Sequence, residues 1–371
     1  DDPKALRGLT TLGAGEHWVL EPQDLGGGLW RPGIRMGVEP GSEFHLTEYF
    51  APVLGVMRVD TLQEAIDAVN AVDYGLTSGL QTLDSAELGQ WLEAVEAGNL
   101  YVNRGITGAI VRRQPFGGWK RSAIGSTTKA GGPSYLLGLG EVVPGDGGEH
   151  HDAVERGHQT LDSTLDPRVA AVYDAVRTDL DHQEVAALRR ALVADAQAWE
   201  RVYGQNQDVT ALACERNILR YRPTTVVVRA QAGTHQSDLA RVMAAGIRAG
   251  GLVSLSVAEP LPQALRAALL GAGVEVAVER GAVWEARLSD MASSGALGVR
   301  VRIVGDRRVP SEELWQQASA LTGGSPDVAL YTGPVTTCPH TELLTFLREQ
   351  AVAITSHRFG TPLDLAKGLL H

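Results

Sequence analysis

The sequence predicts an α/β protein with two domains. The chain has 371 residues, 44% of them hydrophobic, which is enough to bury a core in each of two domains. Segments typical of strands and helices alternate in residues 61–103 and again in 224–279. A polar, glycine-rich stretch at 141–158 lies between them, as expected for a connection between domains. We therefore divide the chain into a domain at 1–140, a linker at 141–165 and a domain at 166–371.

Two helices and several short strands are predicted in the first domain. In residues 61–72 the apolar positions repeat every 3.6 residues, and Thr61 followed by Glu64 matches a capping box, which predicts a helix. The other predicted segments are a strand at 18–20, a turn-rich connection at 26–33, a strand at 44–57 interrupted by Pro52, a turn and strand at 74–82, a helix at 85–97 ended by Gly98, and a strand at 100–103.

The second domain is predicted to be doubly wound and Rossmann-like. Its segments are helices at 166–180 and 182–203, the stretch NILRYRP at 217–223, strands at 224–229, 251–256 and 274–279, helices at 237–249 and 260–272 between those strands, and a helix running into a strand at 342–359. The loop between the first strand and its helix, AQAGTHQ at 230–236, has a single glycine. It lacks the G-x-G-x-x-G pattern that lets a backbone approach a pyrophosphate. We therefore expect a Rossmann-like α/β domain without a phosphate-binding glycine motif.

Composition and charge argue against several classes of protein. The formal net charge of -11 disfavours nucleic acid as a partner. The sequence has neither an apolar run long enough to cross a membrane nor a secretory leader, and we expect a cytoplasmic protein. Cys214 and Cys338 lie far apart, which favours a reduced compartment. His150 and His151 have no further ligand at a suitable spacing, so a solvated linker is expected there rather than a metal site.

The stretch at 98–133, GNLYVNRGITGAIVRRQPFGGWKRSAIGSTTKAGGP, is the best candidate for a binding site. A predicted strand leads into a loop with Gly105 and Gly108, and the sequence QPFGG at 114–118 makes a sharp turn. Glycines allow a close approach of the backbone to a ligand, and Pro115 restricts the conformation of its neighbours. Successive amide groups can therefore converge on an anion.

These motifs also carry a family resemblance. The order G-N-x-Y-x-N-R, T-G-A-I-V, Q-P-F-G-G and K-A-G-G-P, preceded by TEYFAPV at 47–53, resembles the C-terminal part of an aldehyde dehydrogenase catalytic domain. Within that superfamily it is most similar to the L-glutamate-γ-semialdehyde (1-pyrroline-5-carboxylate) dehydrogenases, especially the module of bifunctional proline utilization A proteins. This resemblance covers residues 3–137. Residues 217–370 resemble the extra C-terminal domain of long proline utilization A proteins, which is thought to cap the enzyme's tunnel.

The resemblance implies an NAD-dependent oxidoreductase of proline catabolism that converts L-glutamate γ-semialdehyde to L-glutamate. Such a reaction needs a thiolate nucleophile, which in this family precedes the segment matching 47–53. Cys214 and Cys338 both follow that segment, so we assign no catalytic residue in this chain. We expect a fragment, inactive alone, whose nucleophile lies before Asp1. FAD is expected only if a proline dehydrogenase domain precedes, and the choice between NAD and NADP stays open.

Five site residues follow from the resemblance. It implies that Glu48 accepts hydrogen bonds from the nicotinamide ribose and that Phe50 lies against the nicotinamide. It also implies that the amides of Gly108 and Ala109 bind the α-carboxylate of the substrate, and that Phe116 packs on its aliphatic part. The simpler alternatives are an edge-strand glutamate at position 48 and an ordinary Gly/Pro turn with a core phenylalanine at 105–118.

The expected partners are glutamate semialdehyde as substrate, the remainder of the dehydrogenase polypeptide and further copies in a homo-oligomer, without nucleic acid or a transmembrane segment. Two other functions stay open. One is a non-catalytic module that caps or oligomerises a partner. The other is an aldehyde dehydrogenase of different specificity.

Overall fold

The structure is a computed structural model that describes residues 2–125, 128–140, 165–358, 361–362 and 364–370. The predicted linker, with His150 and His151, lies outside the described residues except for Leu165. The helices are α1 Pro3–Thr10, α2 Glu43–Leu46, α3 Leu62–Asn70, α4 Ser85–Ala94, α5 Pro167–Val176, α6 His182–Ala198, α7 Gln236–Ala249, α8 Gln263–Gly271, α9 Gly281–Ser293, α10 Ser311–Leu321 and α11 Pro339–Thr345, with a 3-10 helix at Tyr135–Leu139 and a π-helical turn at Trp199–Tyr203.

The described strands form one large parallel sheet, two mixed sheets and three two-stranded pairings. The strands are β1 His17–Leu20, β2 Gln23–Gly26, β3 Leu29–Arg31, β4 Gly33–Met36, β5 Val53–Val56, β6 Tyr74–Gly75, β7 Thr77–Leu80, β8 Asn99–Val102, β9 Trp119–Lys120, β10 Glu215–Pro223, β11 Val226–Ala230, β12 Val253–Val257, β13 Glu275–Val278, β14 Val299–Val304, β15 Val328–Tyr331, β16 Leu347–Thr355, β17 His357–Arg358 and β18 Thr361–Pro362. Their sheet orders are β1-β4-β5, β2-β3, β6-β9, β10-β16-β8-β7, β13-β12-β11-β14-β15 and β17-β18.

The helix predicted at 61–72 is α3, and its capping box is confirmed. The Thr61 hydroxyl accepts from the Glu64 N–H at 3.2 Å, and the Glu64 carboxylate accepts from the Thr61 N–H at 3.1 Å. These bonds lower the pKa of Glu64, as do those from the amide of Asp60. Ile66 then faces the core, where it is 1% exposed.

The strand predicted at 44–57 is wrong in its first half. Ser42 accepts from the His45 N–H at 3.4 Å and begins α2, while the His45 ring nitrogen Nε2 lies 2.8 Å from Ala68 O. These bonds favour a helical turn over the alternating pattern, and only 53–56 of the predicted segment forms a strand, β5. The turn-rich connection at 26–33 contains a hairpin of β2 and β3, which turns through three glycines with positive φ, Gly26, Gly27 and Gly28.

The helix predicted at 85–97 ends earlier, and Gly98 is not its cap. The Asn70 side chain donates to Ala94 O at 2.8 Å and accepts from the Glu96 N–H at 2.8 Å, so it terminates α4 from outside. Gly98 is needed for a different reason, since a Cβ there would overlap the carbonyl oxygen of Gly117. The glycine lets two backbone segments of the candidate site touch.

The regions on either side of the predicted linker share a sheet. β16 runs parallel to β8 and antiparallel to β10, so β8 of the first region is bordered by β7 and by β16 of the second. The core beneath this sheet combines Trp91 and Leu100 with Ile218, Val352 and Ile354. The division at 140 and 166 stays a prediction about sequence segments, because the packing is continuous across it.

The second region contains the predicted Rossmann-like sheet. All five described strands are parallel in the order β13-β12-β11-β14-β15, which places the first strand at the centre. The helix α7, with Val242 and Met243 fully buried, packs beneath it against Val228 and Leu255. The α/β fold class is confirmed. The sequence pattern did not predict the later half of the sheet, which consists of β14 and β15 with α9 and α10.

Candidate functional site

The loop after β8 is the candidate anion site, and its start is fixed by Asn103. This residue has φ 56, and its side chain pairs with the Thr82 backbone by accepting at 3.0 Å and donating at 2.8 Å. Asn103 is therefore a structural turn residue. Further on, the Tyr101 hydroxyl donates to Gly108 O at 2.6 Å, and burial raises the pKa of Tyr101, which keeps the phenol protonated as a donor.

Three consecutive amides of this loop are available to a ligand. Gly108 has φ 117, a conformation that glycine tolerates. Within the described part of the chain, the backbone N–H groups of Thr107, Gly108 and Ala109 donate to no other group, and all three residues are exposed. The following turn is closed, because Ile110 and Gln114 exchange backbone hydrogen bonds of 3.1 and 2.7 Å. The loop thus presents unpaired donors beside a rigid turn.

Glu215 at the start of β10 ties this loop to the second region. Its carboxylate pairs with Arg104 and Arg113 and accepts from Gln114 Nε2 at 2.6 Å. The Glu215 side chain is 15% exposed, and the two arginines are 24% and 31% exposed. Partly buried charge-assisted bonds are stronger than solvated ones, so this cluster holds both ends of the loop in place.

Lys129 fixes the glycine turn at 117–118 from inside. It is 0% exposed, its ammonium donates to Gly117 O and to Asn99 Oδ1 at 3.3 Å, and its backbone N–H donates to Glu349 Oε2 at 2.8 Å. Burial lowers the pKa of Lys129 to about 7, partly opposed by the charge of Glu349. Burial also raises the pKa of Glu349. Both shifts favour the uncharged forms, since charge is costly in a buried environment.

Phe116 lies beside this turn. It forms an antiparallel bridge with Ala130, with backbone bonds of 3.0 and 2.9 Å, and its side chain is partly buried. Phe116 follows Gly108 and Ala109 in the chain, and the turn at 110–114 connects them. A contact of Phe116 with the aliphatic part of a substrate stays a prediction.

Glu48 and Phe50 lie in the loop between α2 and β5, on either side of a buried anchor. Tyr49 is 7% exposed and stacks on Phe44 with ring centroids 5.0 Å apart. Its neighbours therefore face solvent: Glu48 is exposed, and the Phe50 side chain is 83% exposed. Phe50 also has φ 48, which is a strained conformation for an aromatic residue. An exposed aromatic side chain on a strained backbone is a candidate ligand contact.

The two predicted halves of the site lie beside strands of different sheets. Glu48 and Phe50 precede β5 in one sheet, whereas Gly108, Ala109 and Phe116 follow β8 in another. No hydrogen bond, ion pair or ring contact within the described ranges joins the first pair to the second group. Their roles toward one substrate and one cofactor stay predictions.

Each cysteine lies just before an element of the second region. Cys338 precedes α11, and Cys214 is exposed just before β10. The described residues contain no group of three or more His, Cys, Asp and Glu side chains placed to hold a metal ion. They also contain no helix that is both long and apolar enough to cross a bilayer.

Protein groups fill the part of the Rossmann-like crevice beside the loop between β11 and α7. Gly233, in the loop between β11 and α7, has φ 75, and a Cβ there would lie 2.8 Å from Asp306 Oδ2. Thr234 closes the other side, where its hydroxyl lies within 2.8 Å of the carbonyl oxygens of Gln231 and Val304. A carboxylate next to this helix N-terminus would repel a pyrophosphate.

Sequence reasoning missed Glu215, Lys129 and Glu349. Lys129 is the first residue of the K-A-G-G-P motif, which the sequence analysis identified without assigning a role to the lysine. The other two residues are distant in sequence, and only the pairing of β16 with β8 and β10 places them beside the loop. No local pattern could have revealed them.

Residues 5–138 match the model of the aldehyde dehydrogenase family. The chain is similar to the 1-pyrroline-5-carboxylate dehydrogenase of Staphylococcus haemolyticus, with 40% identity over 120 residues, covering 32% of this chain and 22% of that protein. It is also similar to the bifunctional protein PutA of Rhizobium meliloti, with 32% identity over 269 residues, covering 71% of this chain and 20% of that protein. The resemblance expected from the motifs is confirmed.

A solved structure of proline utilization A from Corynebacterium freiburgense matches almost the whole chain. The TM-score is 0.69 and the identity 35%, over 97% of this chain and 31% of that one. The match extends through both regions, which agrees with the second resemblance in residues 217–370. The chain thus spans about a fifth to a third of the length of these relatives.

Proposed function

We propose that this chain forms the C-terminal part of an NAD-dependent aldehyde dehydrogenase that oxidises L-glutamate γ-semialdehyde to L-glutamate in proline catabolism. The observation that carries the proposal is the row of amides at Thr107, Gly108 and Ala109, which have no partner among the described residues. Three adjacent N–H groups in a held loop suit a carboxylate better than a neutral group. The substrate's α-carboxylate is such a ligand, and Phe116 supports its aliphatic chain.

The cofactor contacts in this proposal come from the loop around Tyr49. NAD, when bound, accepts the hydride from the aldehyde carbon. The exposed carboxylate of Glu48 has two oxygens that can each accept from a ribose hydroxyl. The exposed ring of Phe50 offers an apolar face to the nicotinamide. Both side chains fit this role because the buried Tyr49 turns them outward.

The remaining chemistry is assigned to the rest of the dehydrogenase polypeptide. Both Cys214 and Cys338 follow the segment at 47–53, which the nucleophile precedes in this family, so the thiolate is supplied from outside this chain in our proposal. Residues 166–371 act as a cap, a role supported by β16, which borders β8, and by β10, which pairs with β16. We expect this chain alone not to oxidise the semialdehyde, whereas the longer polypeptide does. Turnover by this chain alone would overturn the assignment.

Substitution of Ala109 tests the anchor. In the complete dehydrogenase, Ala109→Asp places a carboxylate against the substrate carboxylate, and two such charges about 4 Å apart repel by about 4 kcal/mol at an effective dielectric constant of 20. Screening reduces this cost, so we expect the KM for the semialdehyde to rise at least about tenfold. The control is Ala109→Asn, which has the same size without charge. Equal KM values in the two variants would contradict the anchor.

A further inference from the structure

A cavity of about 770 Å³ lies between the two regions, outside the loop at 105–118 and next to the glycine turn at 117–118. Its wall includes Thr225, Val299 and Asp327, so it opens at the amino-terminal ends of β11, β14 and β15. This is the edge of the parallel sheet opposite to the filled crevice. The first region contributes Trp119 and Lys120 to the other wall. The volume falls within the range of small-molecule sites in proteins.

Arg348 on β16 reaches this cavity with its charge unpaired. Its guanidinium carbon lies 3.7 Å from the centroid of the Trp119 ring. Trp119 is itself fixed, since it is 2% exposed and its indole N–H donates to Glu349 O at 2.8 Å. Within the described ranges the guanidinium of Arg348 donates to no acceptor, and its Nε is buried without a partner. Stacking leaves the edge of the guanidinium plane free to bind a planar anion.

The other cations of the cavity are already matched by protein groups. Arg222 makes bonds of 3.1 and 2.7 Å to the Glu93 carboxylate, and Lys120 pairs with Glu96 at 2.9 Å. Arg300 donates to three backbone carbonyls, those of residues 344, 345 and 347. The charge of Glu96 raises the pKa of Arg348, but the Glu96 carboxylate forms its ion pair with Lys120.

The cavity lining has one more cation than carboxylates, with Lys120, Arg222, Arg300 and Arg348 against Asp73, Glu96 and Asp327. Burial lowers the pKa of Arg348 to about 10, Glu96 opposes the shift, and the charges of Arg300 and Arg222 add to it. A partly buried guanidinium that is repelled by two neighbours and lacks a hydrogen-bonded counter-ion is unfavourable. An anion in the cavity would remove this cost by accepting from the free edge of Arg348.

We propose that this cavity binds a small molecule through its phosphate or carboxylate group, held by Arg348 on the face of Trp119. Two parallel N–H groups of a guanidinium match two oxygens of either anion. Arg222 and Arg300 supply additional attraction without leaving their own partners. The site does not depend on the proposed dehydrogenase activity, because it uses neither Glu48 nor the loop at 105–118.

Titration with inorganic phosphate and with glutarate tests the proposal and separates the two anion classes. The 371-residue chain is titrated with each anion in a calorimeter, and its thermal unfolding is followed at constant ionic strength with sodium chloride as the reference. Binding of either anion, with a rise in Tm beyond that in chloride, supports the site and identifies its preferred group. No binding of either anion would overturn it.

Variants locate the ligand. Arg348→Gln should weaken binding at least about tenfold, because a bidentate charge-assisted contact is lost. Arg348→Lys keeps the charge but not the fork, and an intermediate loss is expected. The control is Arg308→Gln, whose arginine is 88% exposed and pairs with Asp306 outside the cavity. Unchanged affinity in both Arg348 variants would refute the assignment, and the lysine variant keeps the test valid if the glutamine variant fails to fold.

Discussion

Glu215→Gln should loosen the loop that carries the unpaired amides while leaving the rest of the chain intact. The carboxylate holds Arg104, Arg113 and Gln114, which lie at both ends of that loop. Glutamine has the same size and retains one oxygen that can accept a hydrogen bond. The substitution therefore removes the charge of the cluster without creating a cavity.

The magnitude follows from the exposure of the three charged groups. Hydrogen bonds to charged groups contribute about 1.5–3 kcal/mol when buried, whereas exposed ion pairs contribute about 0–1 kcal/mol. Glu215 is 15% exposed and its arginines are 24% and 31% exposed, so each pair lies between these limits. We take about 1 kcal/mol for each pair and expect a total loss of about 2 kcal/mol. That loss raises the population of the open loop about 30-fold.

Hydrogen exchange measures this change locally. The backbone amides of Ile110, Arg112 and Gln114 donate within the loop or to Gly131, so they report its opening. Their exchange should accelerate about 30-fold in Glu215→Gln. The control is Glu279→Gln, because Glu279 pairs with Arg287 and has a carboxylate that is 16% exposed, yet lies in the other sheet. Unaltered exchange at 110–114 in Glu215→Gln would refute the clamp.

Three further predictions concern other parts of the site. The pKa of Lys129 is about 7 in the folded protein and 10.5 ordinarily, so between these values only the unfolded chain holds the proton and stability rises with pH. The free energy of unfolding of the wild type, measured in urea and compared with that of Lys129→Met, should therefore rise by up to about 1.4 kcal/mol for each pH unit in this range. Lys367→Met should behave as the wild type. Gly98→Ala should cost about 1–3 kcal/mol in the same assay by overpacking, whereas Gly271→Ala, which has open space around it, should not destabilise. In the complete dehydrogenase, Glu48→Gln should raise the KM for NAD, and an unchanged KM would remove Glu48 from the cofactor site.

Elements with strong local signals were predictable from the sequence. The capping box of Thr61 and Glu64 fixed the start of α3, because both of its bonds are made by residues within one turn. The strands β11, β12 and β13 are apolar runs separated by helices of regular period, and they form the predicted parallel order. In these places local propensity and tertiary packing favour the same structure.

Prediction failed where distant side chains decide the structure. β14 contains Arg300 and Arg302, which are 3% and 2% exposed and break the apolar pattern expected of a buried strand. Arg302 pairs with the buried Glu342, and Arg300 donates to carbonyl groups near residue 345. The end of α4 was likewise set by Asn70 rather than by Gly98. The residues of each pair lie too far apart in the chain for a local sequence pattern to reveal the contact.

The candidate site shows the same division. The motif order located the loop at 105–118 and its glycines, because these depend on local backbone conformation. The clamps from Glu215 and Glu349 depend on a sheet that joins segments more than 200 residues apart. The resemblance could suggest what the loop binds, but only the structure shows which groups hold it.

The second region can matter to the loop without binding anything itself. Ordering the backbone costs about 1–2 kcal/mol per residue, so a loop of this length needs substantial compensation. Its own contacts are a hairpin at 110–114 and the bond from Tyr101 to Gly108. Glu215 adds two ion pairs, and Glu349 holds the segment of Lys129 against the glycine turn. Because both carboxylates come from β10 and β16, weakening the pairing of β16 with β8 should free the amides from their fixed position even when every residue of the loop is unchanged.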